Sequence, residues 1–307
     1  MMEDLRAIED IPMYKDWVKI EPVLKGFSED KKFFIEDKNG DKFLLKLFEY
    51  SSYENKLKEF NFMKLVETTG INMQRPIEFG VCNENRNSYM LLSWVSGSDC
   101  VDVINGFSEK SQYELGVKAG EILSKIHSIP FNEDVEDWAL RYGLKIRKKI
   151  EGYRNCSINI PEDFKYIKIL EESICYLKNR PQTFHHGDFH LGNLVISEEG
   201  ELGVIDFNRS DYGDPWEEFN RSIFTWQVSI PFMIGQIHGY FNNDVPDEFF
   251  RLLLVYMVTN AIGSIYWAIP LGEDEVNYMI KNAEELYDVY DGFKSFKPNW
   301  YQEKVEY

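Results

Sequence analysis

His186-Gly187-Asp188-Phe189-His190-Leu191-Gly192-Asn193 is followed by Gly203-Val204-Ile205-Asp206-Phe207, and no other part of the 307-residue chain is as specific. The first segment fits H-x-D-x-x-x-x-N. The second is an apolar run ending in Asp-Phe, with Asp206 eighteen residues after Asp188. Phosphoryl transfer from a nucleoside triphosphate needs these parts. One carboxylate accepts or orients the attacking hydroxyl; an Asn five residues later and a second Asp at a strand end hold a divalent cation against the phosphates. Oxygen ligands suit hard Mg2+, which keeps waters and takes few protein groups. An Asp and an Asn that merely cap turns do not explain two motifs in this order and at this separation. His185, His186 and His190 do not match H-E-x-x-H and have no Cys nearby, which argues against zinc.

The sequence before this segment alternates short β-like runs with polar turns: Trp17–Leu24, Lys32–Glu36, Lys42–Phe48, Pro76–Val81 and Ser88–Val95. Helical spacing of Leu57, Phe60, Met63 and Leu65-Val66 marks Tyr53–Glu67 as a helix after the third strand. From Ser98 the pattern is mainly helical: Ser111–Ile129, a charged insertion at Asn132–Ile160, Asp163–Leu177, and helices after Pro215. Two short β runs, Gly192–Ile196 and Leu202–Phe207, sit mid-chain. The expected fold is α+β, with a small antiparallel-sheet part with one helix (1–97) and a larger helical part (98–307). Leu252–Ile269 is long and apolar, but Asn260, Gly263 and Ser264 interrupt it and no basic clusters flank it, so it reads as a buried core helix.

These elements together resemble the aminoglycoside phosphotransferase family, the small-molecule kinase branch of the protein-kinase-like superfamily. The residues that carry the likeness are Lys46 in Phe43-Leu44-Leu45-Lys46-Leu47-Phe48, Leu123–Ser128, His186–Asn193, Ile205-Asp206-Phe207 and Gly213-Asp214-Pro215. Protein kinases of the eukaryotic type differ: Asn208 stands where their third motif residue is Gly, and no APE follows. The resemblance implies a bilobal protein-kinase-like fold with residues 1–97 as the nucleotide-binding lobe, hinge included, and 98–307 as the lobe with the catalytic loop and acceptor site. It implies Asp188 as the catalytic base, and Asn193 and Asp206 as Mg2+ ligands. Lys46 would reach the α/β-phosphates with Glu59 as its helix partner, Glu54 being the alternative. Leu92-Ser93-Trp94-Val95-Ser96-Gly97 resembles the hinge, so backbone groups of Ser93 and Val95 would pair with the purine while Leu92 lines its pocket. Gly26 and Ser28 would donate backbone N–H groups to phosphate, although Lys25-Gly26-Phe27-Ser28 supplies one glycine and not a G-x-G-x-x-G run. No G-x-x-x-x-G-K-[ST] occurs, which excludes a P-loop reading. His186 would brace the loop. Asp214 would cap a helix starting at Pro215, whose fixed φ suits the first helical position. Arg209, Asp211, Glu217 and Glu218 are candidate substrate contacts.

Lys+Arg 34 against Asp+Glu 52 gives a net charge of −18. Over residues 1–97 the balance is −3, and over 98–307 it is −15. Such a chain repels nucleic acid and anionic membranes and attracts cations. The expected acceptor is therefore a small cationic molecule, an aminoglycoside first, with ATP or GTP as phosphoryl donor and Mg2+ as cofactor. Choline-like amines, amino-alcohols or sugars are the alternative acceptors, and a nucleotide-binding pseudokinase is the alternative of another class. No nucleic acid, membrane or obligate protein partner is implied. The acidic start, MMEDLRAIED, lacks the apolar core of a secretory leader, which points to the cytoplasm. Cys82, Cys100, Cys156 and Cys175 form no C-x-x-C pair and are expected as reduced, buried thiols.

Overall fold

Five strands form one antiparallel sheet: β1 (Trp17–Pro22), β2 (Lys31–Asp37), β3 (Lys42–Glu49), β4 (Pro76–Cys82) and β5 (Asn87–Ser93), in the order β1-β2-β3-β5-β4. The structure is a computed structural model that describes residues 6–24, 30–130 and 136–306. The β2–β3 hairpin closes because the Asp37 carboxylate accepts the backbone N–H groups of Asn39 (2.8 Å) and Asp41 (2.9 Å), an Asx-type turn. Side chains on a strand alternate between faces. Leu45 and Leu47 of β3 enter a buried cluster with Ile8, Ile11, Phe33, Ile35, Tyr89 and Leu91. Lys46, between them, is thereby turned to the opposite face, where helix α1 (Tyr53–Glu67) buries Glu59, Phe60, Phe62, Met63 and Val66.

Four three-residue strands come later: β6 (Thr183–His185), β7 (Leu194–Ile196), β8 (Leu202–Val204) and β9 (Asp211–Gly213). β6 pairs with β9, and β7 with β8. Residues up to Ser98 form one compact unit with Leu194–Ser210, and Asp99–Asn193 forms a second with the residues from Asp211 on. The sequence boundary at 97/98 leaves Leu194–Ser210 with the helical part. Hydrogen bonds draw it to the sheet unit instead: Val204 N–H to the Asn72 carbonyl (3.0 Å) and Gln74 N–H to the Val204 carbonyl (3.1 Å). The strand expected over Leu202–Phe207 stops at Val204, because Asp206 takes a left-handed backbone, φ +65°.

The second unit holds α2 (Glu109–His127), α3 (Trp138–Asn155), α4 (Asp163–Glu172), α5 (Ile230–Phe241), α6 (Asp247–Ala268) and α7 (Glu273–Val289). The helix expected through Leu177 breaks at Ser173 and resumes as a 3₁₀ turn, Ile174–Leu177. By length and composition α6 could cross a membrane, but most of its residues are buried within this unit. Pro215–Arg221 is a 3₁₀ helix, with Pro215 in its first turn and the Asp214 carboxylate accepting Trp216 N–H at 3.0 Å. The same carboxylate holds Arg180 (2.6 and 3.0 Å) and accepts a hydrogen bond from the Tyr256 hydroxyl (2.6 Å), so Asp214 is a fully buried anchor. All four cysteines are free. Cys82 and Cys100 are buried, and burial pushes both thiols up to about 12. Two depart from the expected burial: Cys156 is half-buried, and Cys175, on the 3₁₀ turn that follows α4, is exposed.

Candidate active site

In the sheet unit, the Lys46 ammonium lies 3.1 Å from Glu59 Oε1 and 3.6 Å from Asp206 Oδ1, with the lysine 2% exposed. Burial alone would lower its pKa. The carboxylates of Glu59 and Asp206 outweigh that and raise it, so Lys46 is a permanent cation. It is Glu59, and not the exposed Glu54, that faces this lysine. Lys56 bridges the far side of Glu59 (3.4 Å) to the Asp30 carboxylate. Charges thus alternate along Asp30, Lys56, Glu59, Lys46 and Asp206. The Asp206 backbone N–H donates to Gln74 Oε1 (3.2 Å), which holds the left-handed turn in place.

The hinge-like segment continues from β5. Leu92 is fully buried. The Ser93 N–H donates to the Arg75 carbonyl (2.9 Å). Val95 packs so closely on Gly203 that a Cβ there would lie 2.4 Å from Val95 Cγ1. Gly26 and Ser28 lie outside the described residues.

In the helical unit, the loop 186–193 is folded around its own histidines and a glutamate. His186 Nδ1 accepts the Asp188 N–H (3.2 Å), and His190 Nδ1 accepts the Gly192 N–H (3.1 Å). The Asn193 amide donates to the Asp188 carbonyl (2.8 Å) and closes the loop. Glu218 accepts the N–H groups of Gly187 and Phe189, each at 3.1 Å. Burial would raise the Glu218 carboxyl, but the adjoining His127, with His185 and His186 near, holds it well below the usual range. Glu218 is 3% exposed and committed to the loop, which corrects its expected place as a substrate contact. Glu217 is also buried and holds Lys145 at 2.7 Å. Asp211 stays exposed on β9 with Arg141 at 3.6 Å, and Arg209 is exposed in the sheet unit. Sequence reasoning missed Arg221, whose Nη1 lies 2.7 Å from Asp188 Oδ1. Its signal was faint: a single Arg in a charged run, thirty-three residues beyond its partner. Among the described residues, no group of three or more His, Cys, Asp and Glu side chains is disposed to hold a metal.

A sheet unit with a buried, ion-paired lysine and a helical unit with an Asp–Asn loop define a protein-kinase-like phosphotransferase. The chain belongs to the phosphotransferase enzyme family, whose sequence profile matches residues 19–249. No curated protein matches it. Among solved structures it is similar to the GDP complex of aminoglycoside 2'-phosphotransferase-IIIa, at 15% identity and a TM-score of 0.73, with 94% of this chain and 98% of that one covered. It is also similar to a ternary complex of aminoglycoside phosphotransferase APH(4)-Ia with ADP and hygromycin B (14% identity, TM-score 0.67, coverage 92% and 98%). A protein from Haemophilus somnus described as a putative fructosamine-3-kinase is similar as well (14% identity, TM-score 0.64, coverage 88% and 91%). At these identities the likeness describes the fold.

Proposed function

We propose that this phosphotransferase moves the γ-phosphoryl group of ATP or GTP to a hydroxyl of a small cationic acceptor, with aminoglycosides the first class to test. The observation that carries the reading is the buried Lys46 held between Glu59 and Asp206, since a fixed cation so placed can meet polyphosphate without reorganising. In the reaction the acceptor oxygen bonds to the γ-phosphorus. The bond from that phosphorus to the β–γ bridging oxygen breaks, and its electron pair leaves with the nucleoside diphosphate. The hydroxyl proton passes to the Asp188 carboxylate. Lys46 neutralises the α/β-phosphates, and the backbone near Ser93 and Val95, with Leu92 beside it, receives the purine.

Mg2+ fits the donor chemistry. In the helical unit Asn193 spends its amide N–H on the Asp188 carbonyl and keeps its oxygen as a donor, and in the sheet unit Asp206 carries a carboxylate; each is an oxygen donor of the kind Mg2+ takes. When bound, the ion neutralises charge on the β- and γ-phosphates. The excess of acidic residues beyond residue 98 supports a cationic acceptor. A second reading keeps the reaction and changes the acceptor to an amine-bearing sugar metabolite, which the likeness to the protein described as a fructosamine-3-kinase favours. A pseudokinase is disfavoured, because Lys46, Asp188, Asn193 and Asp206 are all present.

The test is a panel of aminoglycosides, amino-alcohols and sugars, read by ADP or GDP release and by the mass gain of one phosphate. Asp188→Asn should lose turnover by ~100-fold or more while keeping nucleotide affinity, because an amide cannot take the proton. No phosphorylated product from any member, or wild-type kcat in a folded Asp188→Asn protein, would sink the assignment.

A further inference from the structure

We infer that Arg221 is a positioning residue for the catalytic carboxylate, and that the 3₁₀ turn Pro215–Arg221 exists to present it; this rests on the phosphotransferase reading above. A 3₁₀ helix has three residues per turn, so side chains at i and i+3 eclipse. Glu218 and Arg221 stand at that spacing and emerge on one face. Both are spent on the same loop. Glu218 takes the N–H groups of Gly187 and Phe189, which flank Asp188, while Arg221 Nη1 approaches Asp188 Oδ1 to 2.7 Å. One turn of helix therefore fixes the backbone on both sides of the catalytic residue and its side chain as well. An α-helix would rotate the two positions about 60° apart on its surface and lose this register.

The pair is sheltered: the Arg221 side chain is 21% exposed and that of Asp188 13%. His190 adds to the arrangement. Its Nδ1 accepts the Gly192 N–H, so a neutral ring carries its proton on Nε2, and Nε2 lies 3.5 Å from the same Asp188 oxygen. Asp188 Oδ1 is thus flanked by a permanent cation and a ring N–H. A carboxylate with a cation held close to one oxygen has its side-chain torsions biased before an acceptor arrives. Holding reacting groups in a near-attack geometry is worth orders of magnitude in rate. Arg221 acts through Asp188. Its loss should fall on kcat and leave nucleotide KM nearly unchanged, because the groups assigned to the nucleotide phosphates are Lys46, Asp206 and Asn193 and not Asp188.

The experiment uses the full chain with MgATP and MgGTP, with water as the acceptor, so that no assigned substrate is needed and the product is inorganic phosphate. Thermal melts confirm that each variant is folded. Arg221→Ala should lower kcat by about tenfold or more, which corresponds to ~1.4 kcal/mol, with nucleotide KM within about twofold of wild type. Arg221→Lys should lie between the two, because an ammonium keeps the charge but not the planar shape of the guanidinium. Free guanidinium should restore part of the rate to Arg221→Ala and none to Asp188→Ala. A folded Arg221→Ala protein with wild-type kcat, beside an inactive Asp188→Ala, would overturn the positioning role and leave the phosphotransferase reading standing. So would a slow Arg221→Ala that Arg221→Lys and guanidinium both fail to improve. A wild-type protein that neither binds nor turns over either nucleotide would overturn both.

Discussion

Lys46 shows how one residue couples stability to chemistry. It is 2% exposed, yet charged, and that is tolerable because Glu59 and Asp206 flank it at 3.1 and 3.6 Å. Breaking a buried pair by removing one partner typically costs ~3–5 kcal/mol, whereas replacing both partners by apolar side chains is often neutral. Lys46→Met should therefore lower the urea midpoint strongly and reduce nucleotide turnover by ~100-fold or more. Lys46→Met with Glu59→Leu should recover much of the midpoint and none of the turnover. Equal recovery of both would mean that the lysine serves the fold alone. The lysine was legible because a charged residue inside Phe43–Phe48 has few structural excuses. Its partner was legible in part: Glu59 shares the buried stripe of α1 with Met63 and Val66 at helical spacing, and Glu54 does not. Glu218 and Arg221 were not legible, because their charges match those of any solvated face and their targets are some thirty residues away.

At the scale of elements, the crossing of α2 and α5 was hidden for a similar reason. The apolar stripe Leu115, Ala119, Leu123 and Ile126 marks α2 as a helix, and nothing local reveals what Gly116 and Gly120 are for. In the structure they face Gly235 and Gly239 of α5. A Cβ on Gly116 would lie 2.1 Å from the Phe232 carbonyl oxygen, and one on Gly120 2.2 Å from that of Gln236. The reverse contacts are as tight, Gly235 with the Tyr113 carbonyl oxygen and Gly239 with that of Val117. Backbone atoms inside helices cannot yield singly, so an added methyl must part the helices. In a solvated helix, Gly→Ala would stabilise by ~1 kcal/mol. Here overpacking of ~1–3 kcal/mol or more should prevail, and Gly120→Ala should lower the urea midpoint. Gly106→Ala, where a Cβ meets nothing within 4 Å, is the control and should stay within ~0.5 kcal/mol of wild type. A neutral Gly120→Ala would mean that the crossing is loose. The 3₁₀ form of Pro215–Arg221 was likewise illegible, since Asp214-Pro215 signals a helix start and leaves its pitch open.

The whole molecule carries a net charge of −18, and acidification sets two effects against each other. Protonating surface carboxylates relieves self-repulsion and favours the compact state. That relief begins near the ordinary carboxylate range, about pH 4 to 4.5. Buried groups act earlier and with the opposite sign. Burial lowers the pKa of His127 despite the nearby Glu218, and burial likewise lowers that of His238. Both rings are free to take a proton in the unfolded chain near their ordinary value of 6.5. Below that value the unfolded state binds more protons than the folded one, so stability falls as pH drops, until the folded pKa is passed. Glu218 adds a later loss of the same sign. Its carboxyl is held below the ordinary 4.5, so the stability it contributes above that value disappears as pH falls through the lower one. Between about pH 7 and 5 the histidines should therefore win, and the urea midpoint should decline before any surface relief sets in. Salt separates the two effects, because exposed charges are screened at a Debye length of ~3 Å in 1 M salt and buried groups far less. The decline between pH 7 and 5 should persist in high salt, and His127→Phe should make it shallower. A midpoint that rises over that interval, or a decline that salt abolishes, would place control of acid stability in the surface charge and not in the buried histidines.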